Sequence, residues 1–107
     1  MKRVLAVAAL MVGLSVWSTA NAEGIKHYAP GHWEVAEQHF REAIAADDNL
    51  AVAHYNLALA LDNRDRHKEA TQEFDRALKL APDNPSIAES GILQGHLKRM
   101  HRDKSQH

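Results

Sequence analysis

Eight histidines, at positions 27, 32, 39, 54, 67, 96, 101 and 107, are the residues of this 107-residue chain with the clearest capacity for chemistry. Imidazole binds zinc, copper and nickel, and it changes charge near neutral pH. Their spacing argues against a built metal site. A helix-borne pair needs positions i and i+4, one turn apart on one face, and no two of these histidines are four apart: His32 and His39 differ by seven, His96 and His101 by five. The local pair His27 and His32, or the series His96, His101 and His107, could hold an ion only weakly, so no metal or other cofactor is expected. With no cysteine there is no thiolate site, disulfide framework or covalent haem attachment. The chain also lacks a nucleophile elbow and a glycine-rich phosphate loop, and its carboxylates fall on helix faces expected to be solvated. Catalysis is therefore not expected. Metal handling through the histidines is an alternative of a different class.

The elements that must position these residues begin after a leader. Lys2 and Arg3 precede an apolar run from Val4 to Trp17, and Ala20-Asn21-Ala22 supplies small residues for cleavage before Glu23. Residues 1–22 thus read as a secretory signal peptide, with the mature chain periplasmic or secreted. The run is shorter than the roughly 20 residues that span a bilayer, so no stable membrane insertion is expected after cleavage. The formal net charge is −1, and losing Lys2 and Arg3 makes the remainder more acidic, which points away from nucleic acid. Residues 23–107 are too few for more than one small domain, whose core is barely sufficient without staples.

Gly24, Pro30 and Gly31 around Ile25, His27 and Tyr28 suggest an extended arm over residues 23–31. From about His32 to Ala46, Trp33, Ala36, Phe40, Ala43 and Ile44 recur at spacings of three and four, which predicts an amphipathic helix. Asp47-Asp48-Asn49 should end it and cap a second helix, Leu50 to Asp62, that is apolar on more than one side. Asn63-Arg64-Asp65 makes the next break, with Asp65 or its neighbour capping a third helix through Leu80. Pro82-Asp83-Asn84-Pro85 stops that helix, and Ser86-x2-Glu89 offers a capping box for a fourth that reaches about Met100. Gly91 and Gly95 within it are expected to allow close helix contact. The basic stretch from Lys98 to Lys104 complements the last helix's negative end, and residues 101–107 read as a solvated basic tail.

One regularity organises all of this. Ala36-x3-Phe40 returns as Ala70-x3-Phe74, Ala43 as Ala77, Ile44 as Leu78 and Gln38 as Gln72, each displaced by 34 residues. A fixed period between small and large apolar residues marks a helix-turn-helix array whose units meet through the same side chains. Read in frame, Ala51 to Asn84 resembles one complete tetratricopeptide repeat: Leu57 and Ala58 stand at the family's Leu-Gly step, and Ala70-x3-Phe74, Ala77 and Pro82 follow at its spacings. His54 stands in place of the family's tryptophan, Ala58 of its glycine, Leu61 of its tyrosine and Asp48 of a proline. His32 to Leu50 resembles the second helix of a preceding repeat that lacks its first, and residues 85–100 resemble the first helix of a following repeat, used as a cap.

The resemblance implies an all-α fold of antiparallel helix-turn-helix pairs, about four helices forming a superhelix fragment over residues 32–100. It further implies a protein-interaction adaptor that binds another protein or peptide through its inner helix. On that frame Val52, Tyr55, Asn56, Leu59, Asp62 and Asn63 face the ligand surface, with Glu89 and Leu93 as extensions. Asn56 aligns where family members use an amide to fix a ligand's backbone or carboxylate. The helix from His32 lacks its usual partner, so Trp33 and Phe40 are expected to be covered by the arm, by a second copy in a homodimer, or by another protein. Pure self-assembly is the remaining structural alternative.

Overall fold

A computed structural model of the protein describes residues 20–21, 23–28 and 30–105. Helices make up its regular structure, and there is no strand among the described residues. Residues 20–21 and 23–28 are helical and are labelled α1. They are followed by α2 (Trp33–Ala46), α3 (Ala51–Asn63), α4 (His67–Leu80), α5 (Pro85–Ala88) and α6 (Gly91–Ser105). The leader assigned to residues 1–22 lies outside the described residues, except for Ala20 and Asn21.

The 34-residue period lays down the core. Ala36, Ala43, Ala70 and Ala77 are fully buried, and Phe40 and Phe74 are 1% and 0% exposed. Alanines bring the helices close, and the two phenylalanines fill the space left between them. α3 packs against both α2 and α4. That explains why its apolar residues run around more than one side, with Ala53, Leu57, Ala58, Ala60 and Leu61 all buried.

The expected extended arm is instead a helix, because it supplies what α2 lacked. A Cβ built on Gly24 would lie 2.3 Å from Cε1 of Phe40, so the α1 backbone lies directly on that ring. Tyr28 meets Trp33 edge-on, with centroids 4.5 Å apart. Gly31, at φ +84°, ends α1: its N–H donates to the Tyr28 carbonyl, and the His32 N–H donates to that of His27. This is a Schellman closure, which needs a residue in the left-handed region. One period later Asp65, at φ 61°, repeats it, with Asp65 N–H on Asp62 and Arg66 N–H on Leu61. Residues 20–21 and 23–28, together with α2, thus repeat the design of the pair α3 and α4.

Other boundaries also differ from expectation. Asp47 does not cap α3; its carboxylate accepts from the Asn49 N–H at 3.0 Å, and Leu50 is the N-cap. Of Asp65 and its neighbour, it is the neighbour Arg66 that stands at the N-cap of α4, without a side-chain capping bond, while Asp65 closes α3. The helix foreseen from Pro85 to Met100 breaks after Ala88: Asn84, not Ser86, caps α5, and the Ser90 hydroxyl accepts the Leu93 N–H to restart α6. Tyr55 holds that break by donating its hydroxyl to Ser90 Oγ at 2.9 Å. Close packing at the glycines is not found, since a Cβ on Gly91 would meet nothing and one on Gly95 only the end of Arg99. The basic tail is helical as far as Ser105.

Candidate functional site

The inner helix α3 carries six of the eight candidate residues, and its neighbours divide them. Val52 is 40% exposed. Leu59 and Tyr55 are half-buried against the core, and the Tyr55 ring stands edge-on to Phe74 with centroids 5.6 Å apart. The amides bond to α1: Asn56 Nδ2 donates to Asn21 Oδ1 at 3.0 Å, and Asn63 Nδ2 donates to the Tyr28 hydroxyl at 3.2 Å and to the Leu59 carbonyl at 2.9 Å. α1 therefore runs alongside α3 in the same direction. Ile25, one period before Leu59, is 49% exposed and adds a large apolar side chain beside this face.

Three candidates are placed differently. Phe40 is sealed under α1 and offers no surface, and Trp33 is half-buried against Tyr28. The open face that motivated docking through α2 is thus filled from within the chain. Asp62 is engaged by two histidines, His67 Nδ1 at 2.6 Å and His96 Nε2 at 2.8 Å. Of the extensions, Leu93 is fully buried and Glu89 is exposed.

Sequence reasoning missed two groups. One is an ionic net between the helix pairs. Glu37, 8% exposed, accepts from Arg41 Nε at 2.9 Å, Arg64 at 2.5 Å and Arg66 at 3.0 Å. Glu69 accepts from Arg41 at 2.5 Å and Arg66 at 2.6 Å. Burial pushes the Glu37 carboxyl up, but the hydrogen bonds from Arg41 and Arg64, together with the charges of Arg41 and Arg66, outweigh it and hold it below the usual carboxylate value. For Glu69 the hydrogen bond from Arg41 leads the same downward shift.

The other group is a set of buried histidines. His54, 4% exposed where the family has tryptophan, lies with Nδ1 at 2.6 Å from Glu73 and Nε2 at 2.7 Å from the Asp48 carbonyl. It ties α3 to α4 and to the preceding turn by hydrogen bonds where an indole would do so by area. His96 is 3% exposed. Its partners come from α3 and α4, so no local spacing could announce it.

With this geometry in place, comparison with known proteins is direct. Residues 51–84 match the family model of the tetratricopeptide repeat. Protein O-mannosyl-transferase Tmtc2 of Drosophila melanogaster is 41% identical over 56 residues, which make up 51% of this chain and 6% of that protein. The chain thus spans only a small part of the length of this relative. The matched segment coincides with α3, α4 and the turn to α5, and a repeat of this kind is a protein-interaction module. The chain carries a tetratricopeptide repeat.

Proposed function

We propose that this protein is a non-enzymatic interaction adaptor, exported to the periplasm, whose inner face takes a peptide or helix of another protein. The observation that carries this reading is the exposure of Val52 and Ile25 beside the amides of Asn56 and Asn63. Apolar side chains supply contact area, the Asn56 amide can donate and accept, and Asn63, whose two amide hydrogens are taken by Tyr28 and Leu59, offers its carbonyl to a ligand's N–H. Export strengthens the arrangement. Cleavage after Ala22 removes Asn21 and releases the Asn56 Nδ2 hydrogen that it holds. Among the described residues, no helix is long and apolar enough to cross a membrane.

A photo-crosslinking amino acid at position 52, compared with one at Val35 on α2, tests this in cells. The expected result is one dominant protein adduct from position 52, absent from position 35, on a chain whose mass shows Glu23 as its first residue. Equal adducts from both positions would overturn the inner face as the contact. Adducts only with a second copy would favour self-assembly.

A further inference from the structure

We propose that Asp62, His67 and His96 form a binding site for a divalent transition-metal ion of the zinc class. Each offers one ligand atom, and the three atoms lie within 4.8 Å of one another. They come from three helices: Asp62 from the last turn of α3, His67 from the first turn of α4, and His96 from the middle of α6. Two imidazoles and a carboxylate are a donor set suited to zinc and its neighbours in the first transition row.

The hydrogen-bond pattern orients His96 for this role. The Thr71 hydroxyl donates its one hydrogen to the His67 carbonyl at 2.8 Å, so toward His96 Nδ1, 2.7 Å away, its oxygen can only accept. His96 Nδ1 therefore carries a hydrogen, and Nε2 is the atom that faces Asp62 Oδ1 at 2.8 Å. At that separation a hydrogen bridges the two atoms, and an ion would take its place by spreading them to about 3.3 Å, the edge of a tetrahedron with bonds near 2 Å. His67 Nδ1 converges on the same Oδ1 at 2.6 Å, and the two rings are tilted by 35°. A ring nitrogen fixed through its partner N–H is the usual support of a metal-bound histidine. His67 and His96 also line an open cleft of about 740 Å³, bordered by Gln72, Asp75 and Arg99, from which water or an anion could complete a tetrahedral shell.

A second group, Glu23, His27 and His39, is equally close but less suited. Its imidazoles stack nearly parallel, 13° apart with centroids at 5.6 Å, so their in-plane lone pairs pass one another and do not converge. His27 Nδ1 also faces His32 Nδ1, and His39 Nδ1 faces Glu42.

The test is titration of the full chain with zinc, and with cobalt(II) as a visible probe, followed by thermal unfolding. The expected result is one ion per chain, a tetrahedral ligand-field band and a raised unfolding midpoint, because the ion joins α6 to the repeat. His67 is exposed, so His67→Ala should keep the fold and lose both band and shift. Thr71→Val keeps all three ligands but frees the His96 ring, and should weaken binding about 10- to 100-fold. His27→Ala with His39→Ala should change nothing. The proposal is overturned if the wild type gives no band, if His67→Ala binds as well as wild type, or if binding follows His27 and His39.

Discussion

Phe40→Ala is expected to destabilise the protein by about 3–5 kcal/mol, the range for emptying a buried phenylalanine site that cannot collapse. The ring is 1% exposed, with the Gly24 backbone above it and the alanine-lined contact with α3 below. A domain of this size holds on the order of 5–10 kcal/mol in total, so the loss should be plain in urea denaturation at room temperature. The same site shows whether α1 really closes over α2. Gly24→Val alone pushes methyl groups into the ring and should cost about 1–3 kcal/mol. In the Phe40→Ala background those methyls enter the vacated space, so the double variant should be more stable than the two single losses predict, by an amount on the order of 1–3 kcal/mol. Strict additivity would mean that α1 does not rest on Phe40.

This contact also explains what could and could not be read from the sequence. Ala36, Phe40 and Ala43 announce their repeat because their copies at 70, 74 and 77 fill the same slot with the same side chains. Gly24 and Gly31 announce only breakage, since both are poor helix residues on propensity. Each is present for a tertiary or terminal reason: Gly24 lies on a ring that any Cβ would strike, and Gly31 takes the left-handed turn that ends α1. The usable signal is again the period, for Gly24 precedes Ala58 by 34 residues and Gly31 precedes Asp65 by the same step.

The candidate binding face divides along similar lines. Val52, Asn56 and Asn63 follow from the helical frame of α3, because position on one helix is a local property. Burial of Phe40 and diversion of Asp62 depend on α1, α4 and α6, which no local pattern contains. The break at Ser90 is hidden for the same reason. Ser86-x2-Glu89 makes a good capping box on paper, but the Tyr55 hydroxyl, 35 residues away in sequence, holds Ser90 as the cap.

The ionic net between the helix pairs has the second large expected effect. Glu37→Gln should cost about 2–3 kcal/mol at neutral pH. An exposed ion pair contributes roughly 0.2–1 kcal/mol and breaking a buried one costs about 3–5 kcal/mol. Glu37 lies between these limits, itself almost buried but bonded to arginines that are each between 32% and 44% exposed. Removing its charge leaves Arg64 without its carboxylate and Arg41 and Arg66 sharing that of Glu69. Because the folded Glu37 carboxyl titrates below its ordinary value, its contribution is complete above the unfolded value of roughly 4.3 and is lost as pH falls through the lower, folded one. The stability gap between wild type and Glu37→Gln should therefore be widest at about pH 7 and should narrow progressively as the pH falls below roughly 4.3, with the wild type moving and the variant lacking that component. A gap that stays constant over that range would show that Glu37 holds the two helix pairs together by shape and neutral hydrogen bonding, with its charge contributing nothing.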